Sequence, residues 1–299
     1  MIVAAGHAAY DHIFTMKEFP PLNSARRVMG YFEGFGGGAA NFSMAVSRLG
    51  SKTALFTCVG NDFAGSKYEM ELTRSGIDIR YIQRVDTKTA HAWMYNDESG
   101  NHQCYFYWGS SEFLRNYTIP DDLIKQADTV QFIADAPQFV LKNAEHAKAI
   151  NPEAEIAVDP SYDMYTYGKD DLFKLLELSD YLFLNEHEYR DFKKITGALR
   201  GDMVDRLQAL IVSEGPRGCS VFYGDKEAQV PALKVTAVDP FGAGDAHRAG
   251  FMVAKEKGYD LPTCVKAGNI VASFVVQKEG CQTGFPDWKQ VEERLETIQ

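Results

Sequence analysis

Continuous apolar runs of strand length recur along the chain at 2–6 (IVAAG), 53–60 (TALFTCVG), 129–134 (TVQFIA), 155–159 (EIAVD), 181–185 (YLFLN) and 209–215 (ALIVSEG). Stretches with helical spacing separate them, at 39–49, 65–75, 141–150 and 170–178, the first two closed by Gly50 and Gly76. Strands apolar on both sides, alternating with helices, predict a mostly parallel central sheet covered on both faces, a three-layer α/β fold of the Rossmann type. The last third predicts helices in DAHRAGFMVAKEKG, NIVASFVVQKEG and DWKQVEERLETI.

Two segments break this rhythm. Residues 12–35 and 91–108 lack a helical period, and the second reads as a hairpin turning at Asp97-Glu98-Ser99-Gly100-Asn101. They predict a small β-structure projecting from the sheet, either a lid over a site or ordinary surface hairpins. With no repeat or linker, 1–299 reads as one domain carrying this lid.

Net charge is −10 with a pI near 5.2. Such a surface repels nucleic-acid phosphate and gives no long-range attraction to an anionic membrane, yet leaves room for a phosphate site built from backbone amides. The five cysteines are irregularly spaced without a CxxC pair, as expected of free thiols in a reducing compartment. The N-terminus has no basic stretch and turns polar within a few residues, so it reads as a first strand, and the protein is expected in the cytoplasm.

The segment that carries chemistry is Val238-Asp239-Pro240-Phe241-Gly242-Ala243-Gly244-Asp245-Ala246-His247-Arg248-Ala249-Gly250-Phe251. Pro240 and two glycines predict a tight loop after a strand at VTAV (235–238), with a helix from about Ala243. The first amides of that helix have no partner within it and, backed by its dipole, offer an anion hole at Gly242, Ala243 and Gly244. A carboxylate there repels a phosphate unless it has a task, and the task that fits is taking a proton from an attacking hydroxyl. Asp245 is therefore the candidate base, against the plainer alternative of a residue that only stabilises a helix end. Upstream, Gly36-Gly37-Gly38-Ala39-Ala40-Asn41 lets the backbone approach a ligand at another helix start, with Gly37 and Asn41 as candidate contacts.

These motifs resemble the ribokinase-like (PfkB) family of carbohydrate and nucleoside kinases over nearly the whole chain. Residues 239–245 match the family's D-T-x-G-A-G-D except for Pro240 in place of Thr, and 36–41 are similar to its G-G-x-x-x-N. The resemblance implies a ribokinase-like fold and transfer of the ATP γ-phosphoryl group to a sugar-type hydroxyl. It implies that Asp11 accepts hydrogen bonds from two sugar hydroxyls, a task suited to a carboxylate. Asn185 and Glu188, matching N-x-x-E, would organise Mg²⁺ largely through water, and also fit a capping pattern. Ser213, Gly215 and Gly218 would lie beside ATP, with Asn269 near its base. Val59-Gly60-Asn61-Asp62-Phe63-Ala64-Gly65 matches V-G-x-D-x-x-G and reads as a turn, Asp62 capping the next helix. The Arg of the D-x-N-x-R element is missing from Asp159-Pro160-Ser161-Tyr162-Asp163, which weakens a sugar-phosphate substrate. The resemblance leaves open whether a monovalent cation assists.

Strings at 6–14, 185–188, 280–283 and 286–288 look like the archaeal broad-specificity nucleoside kinases of this family. Phe35, Trp93, Tyr105, Phe106, Tyr107 and Trp108 cluster in the lid segments, where alternate side chains share a face and about half can turn inward to stack a base. Packing the lid or a lid–lid homodimer is their other use. The expected acceptor is thus the primary, 5′-type hydroxyl of a nucleoside. A free-sugar kinase is the alternative, and a non-catalytic sugar- or nucleotide-binding regulator on the same fold is a second.

Overall fold

The computed structural model describes residues 1–297. Fourteen strands are present in these residues: β1 Ile2–Gly6, β2 Ala9–Met16, β3 Val28–Gly36, β4 Thr53–Phe56, β5 Cys58–Val59, β6 Gln83–Arg84, β7 Ala90–Asp97, β8 His102–Tyr107, β9 Thr129–Ile133, β10 Glu155–Asp159, β11 Tyr181–Asn185, β12 Ala209–Ser213, β13 Cys219–Tyr223 and β14 Lys226–Val230. Eight form the central sheet in the order β14-β13-β12-β11-β10-β9-β1-β4, parallel from β12 to β4, with antiparallel pairing at the β13 and β14 edge.

The continuous apolar runs are explained by two cores, one on each face. Ile2 and Ala4 pack with helices Gly38–Arg48, Ala243–Glu256 and Leu261–Val275. Val3 and Ala5, the alternate residues of β1, pack with Pro137–Ile150 and Lys169–Leu178 on the opposite face. Alternate side chains of a strand point to opposite sides, so a strand buried between two helical layers needs apolar residues at every position. The chain leaves β1 toward β4 on one side and later enters β9 on the other. That reversal opens a crevice at the carboxyl ends of β1 and β9, where ligands of open α/β sheets bind.

The lid is a second sheet in the order β3-β2-β7-β8, with β2 and β7 parallel and the outer pairs antiparallel. Its first pair of strands runs from Ala9 to Gly36, a little wider than the 12–35 expected. The turn at 97–101 forms as expected: Asp97 Oδ1 accepts from the Ser99 and Asn101 amides, and Gly100 takes φ +83°.

Several local expectations are corrected. Residues 231–238, including VTAV, form no strand; instead Ala232, Leu233, Val235 and Ala237 line a cavity. The run 53–60 breaks at Thr57, with Cys58–Val59 leaving the main sheet to pair with β6. Asp62 caps no helix. Its Oδ1 accepts from the Thr89 amide and hydroxyl, while the helix Lys67–Arg74 is capped by Ser66. The last helix is found as Trp288–Thr297, and Ile298 lies outside the described residues.

Candidate active site

The helix Ala243–Glu256 begins at Gly242, whose φ of +75° turns the chain sharply into it. The loop before it is stapled by Asp239: one carboxylate oxygen accepts from the Phe241 amide at 3.0 Å, the other from the Gly280 amide at 3.0 Å. The Ala243 amide points to the Pro240 carbonyl at 3.4 Å, a long contact, and Ala246 bonds back to Gly242. Among the described residues the amides of Gly242, Gly244 and Asp245 have no acceptor. The open donors are thus displaced by one position from the expected set, with Ala243 partly turned away and Asp245 adding its own amide.

Asp245 is buried at the head of this helix. Its Oδ2 accepts from Asn41 Nδ2 at 2.9 Å, and its Oδ1 from Arg248 Nη2 at 2.8 Å. Burial pushes its carboxyl pKa up, against the opposing pull of Arg248 and Asn41, which brings a carboxylate toward the range useful for proton transfer near neutrality. Asn41 is held from the other side. Its Oδ1 accepts from Gln282 Nε2 at 2.9 Å, and Gln282 also reaches the Tyr68 hydroxyl, which donates to the Gly36 carbonyl. Both ends of Asn41 are therefore spent on protein partners, and its direct contact is with Asp245.

Asp11, on β2, faces the same cavity, fully buried, its carboxyl pushed up to about 7 by burial and by Asp245 and Asp239 nearby, with the Cys281 thiol pulling the other way. Gly36 opposite has no room for a side chain, since a Cβ there would overlap the Asp11 carboxylate. Gly37, at φ +88°, is tight for a different reason: its Cβ would press on the backbone of His7 and Ala8 at 2.6 Å.

These residues line a cavity of about 280 Å³ between the crevice and the lid. Of the six lid aromatics, Phe106, Tyr107 and Trp108 line it. Phe106 stacks on Tyr162 at 4.8 Å and 13°. Trp93 stacks on His12 and His91, and Phe35 on Tyr68, away from the cavity.

A second cavity of about 380 Å³ lies on the other side of the helix start. Ser213, Gly215, Gly218 and Asn269 all line it, so four residues distant in sequence are brought together as expected. Asn269 acts on the wall, donating to the Val230 and Pro231 carbonyls at 3.1 and 3.2 Å. Most of the remaining lining is apolar, including Leu233, Val235, Ala237 and Val276. Gly244 lines both cavities, so the open amides stand at their junction.

The chain belongs to the pfkB family of carbohydrate kinases. The family model matches residues 1–288. Nucleoside kinase of Methanocaldococcus jannaschii is 35% identical over 99% of this chain and 96% of its own length, and that of Methanothermobacter thermautotrophicus is 36% identical over 98% and 95%. The crystal structure of the M. jannaschii enzyme superposes with a TM-score of 0.92 at 34% identity, covering 99% of this chain and 98% of that one. The Burkholderia thailandensis nucleoside kinase in complex with inosine shares the fold at 24% identity, with a TM-score of 0.91 over 99% and 96% of the two chains. The chain is a phosphotransferase that uses an alcohol group as acceptor.

Asn185 and Glu188 close a capping box at the start of the helix Glu186–Thr196: Asn185 Oδ1 accepts from the His187 and Glu188 amides, and Glu188 Oε2 from the Asn185 amide. The structural half of that expectation is therefore present. Burial, and then the neighbouring Asp159, push Glu188 up to about 7, while burial pushes Asp159 up to about 6 against the pull of Arg248. No cluster of three or more His, Cys, Asp or Glu placed to hold a metal directly occurs among the described residues. The donor set fits a hydrated Mg²⁺, which needs few protein ligands and would supply the charge this carboxylate pair lacks. No described helix is long and apolar enough to cross a membrane.

The sequence reading passed over Arg248, Gln282, Tyr68 and Tyr162. Only Arg248 left a signal, since its i,i+3 spacing from Asp245 puts both on one helix face. The others act through contacts that spacing does not encode.

Proposed function

We propose that this chain is an ATP- and Mg²⁺-dependent kinase that phosphorylates the primary, 5′-type hydroxyl of a nucleoside. One observation carries the reading. Two cavities, one holding Asp11, Asp245 and Arg248 beside an aromatic wall and one largely apolar, meet at Gly244, and the only carboxylate of the helix start lines the first of them next to that junction.

ATP lies in the cavity of Ser213, Gly215, Gly218 and Asn269, its base against Leu233, Val235 and Val276. The acceptor lies under the lid, its ribose hydroxyls on Asp11 and the Gly37 backbone, its base against Phe106 and Tyr162. Asp245, oriented by Asn41, accepts the proton of the attacking hydroxyl as that oxygen bonds to the γ-phosphorus and the bond to the ADP oxygen breaks. The open amides of Gly242, Gly244 and Asp245 stabilise charge on the group in transit. Asn185 and Glu188 would hold Mg²⁺ through water, and the ion would supply positive charge to offset that of the donor phosphates. The outward lid face, carrying His12, Tyr31, Trp93 and Tyr95, is the surface for a lid–lid homodimer, and sedimentation of a Trp93→Glu variant tests it.

A coupled ADP-release assay across cytidine, inosine, guanosine, ribose and fructose tests the acceptor. Turnover on nucleosides with little on free sugars is expected. The reverse preference overturns the nucleoside assignment.

A further inference from the structure

Arg248 has no part in the reading above, which this inference extends. Its side chain is only 14% exposed, it lines the acceptor cavity, and it is the only Lys or Arg to do so among the described residues. Its Nη2 makes two ion pairs, with Asp245 Oδ1 at 2.8 Å and Asp159 Oδ2 at 2.6 Å. The rest of the guanidinium is idle. Nε is buried without a partner, and Nη1 makes no hydrogen bond among the described residues. A guanidinium carries five N–H donors, and buried donors are normally satisfied. The two Nη1 donors left over beside the cavity point to a ligand that brings an acceptor oxygen.

Position identifies that ligand. A Cβ built on Gly244 would stand 3.1 Å from Nη1 and 3.4 Å from Nη2, so the guanidinium lies flat against the residue shared by both cavities. The phosphorus crosses there, beside the open amides. The surroundings are rich in negative charge from Asp245, Asp159 and Glu188, all of which act on Arg248. A fourth anionic group can enter only if a cation receives it.

We propose that Arg248 is a further catalytic residue, whose idle Nη1 donates to an oxygen of the transferring phosphoryl group while Asp159 holds Nη2 in place. Arg248 stays protonated throughout. The hydroxyl proton goes to Asp245, the new oxygen–phosphorus bond forms and the bond to the ADP oxygen breaks. As Asp245 takes the proton its charge disappears, its hold on Arg248 weakens, and the guanidinium turns to the group where charge now resides. The interaction is thus stronger in the transition state than before it, the condition for acceleration. The charge supplied resembles that of an arginine finger, delivered from within the catalytic helix.

The test uses the full chain with Arg248→Met, Arg248→Lys and Asp159→Asn. The probes are inosine alone, MgADP alone, and inosine with MgADP and fluoroaluminate, which mimics the group in transit. In Arg248→Met, turnover and affinity for the fluoroaluminate mixture should both fall by about 10²–10³, the scale of losing one charge-stabilising donor. Affinity for inosine or MgADP alone should change by less than about threefold, and Arg248→Lys should recover part of the loss. Asp159→Asn, which keeps the guanidinium but weakens one of its two anchors, should lose clearly less fluoroaluminate affinity than Arg248→Met, and Arg248→Lys covers the case in which Arg248→Met does not fold. Wild-type fluoroaluminate affinity in Arg248→Met, even with slow turnover, overturns the proposal, because Arg248 then only positions Asp245. Equal loss in Asp159→Asn and Arg248→Met also overturns it. Asp245→Asn run alongside separates the underlying reading: full turnover there sinks the base assignment whatever the Arg248 variants do.

Discussion

The two cavities that meet at Gly244 are built on opposite principles. The acceptor side gathers Asp11, Asp245, Arg248 and Asn41 largely out of water, at a cost visible in the Asp11 carboxyl pushed up to about 7 and that of Asp245 pushed up as well. The donor side is walled mainly by alanine, valine and leucine with glycine turns, and its one imidazole, His247, is pushed down to about 3 by burial and Arg248 and so stays neutral. Charge is concentrated where a proton and a phosphoryl group move. Where a base needs only to be held, apolar surface and backbone suffice. A polar network in low dielectric is strong when satisfied and costly when not, so the acceptor side should be sensitive to single atoms and the donor side tolerant.

That contrast can be broken at four points, from largest effect to smallest. Asp245→Asn should lower turnover by about 10²–10⁴, the scale of general-base catalysis, with nucleoside binding nearly unchanged by calorimetry. Retained turnover would show that the buried charge on the acceptor side has no catalytic purpose. Asp11→Asn should weaken nucleoside binding by about 10–10², as expected when a charged acceptor of hydrogen bonds is lost.

Asp11→Asn also has a stability signature. The wild-type carboxyl titrates at about 7 when folded and at 3.8 in the ordinary case, so folded protein holds the extra proton between those values and wild-type stability falls as pH rises across 4–7. Asp11→Asn escapes this loss. Its stability, followed by the thermal midpoint, should match the wild type near pH 4 and exceed it above pH 7 by on the order of a few kcal/mol. A constant difference across that range would show that Asp11 is not desolvated.

Glu188→Gln should raise the Mg²⁺ concentration for half-maximal turnover by about tenfold, with little change in nucleoside affinity, as removal of a residue acting through a hydration shell predicts. An unchanged requirement would remove Glu188 from the metal site. On the donor side, Leu233→Ala should raise the KM for ATP only a few-fold, about 1 kcal/mol of lost apolar contact, and leave the nucleoside KM alone. A change as large as that of Asp11→Asn would erase the distinction between the two sides.

The parts of the site legible in the sequence were those set by backbone. Gly242 and Gly244 with Asp245 announce a helix start open to an anion, and the glycines at 36–38 announce a close approach, because both depend on residues adjacent in the chain. The lid was legible as two segments without helical period, but the aromatics that line the cavity are the consecutive Phe106, Tyr107 and Trp108 at the end of β8 and just past it, not the alternate residues expected of a pleated strand. The lapse at VTAV has the same origin in reverse. Four residues with strand propensity pair with no strand, and Val235 and Ala237 line a cavity wall instead.

By itself, then, the order of apolar runs and helical spacings determined the layered sheet, and the short glycine strings determined where an anion hole and a carboxylate would fall, because each is a property of neighbouring residues. Tertiary structure decided the partners of those groups. Asn41 meets Asp245 across 204 positions and Gln282 meets Asn41 across 241, and Asp159 meets Arg248 from the end of a different strand. No local pattern encodes such meetings, which exist only once the sheet brings its carboxyl ends together and the lid closes off the water between them.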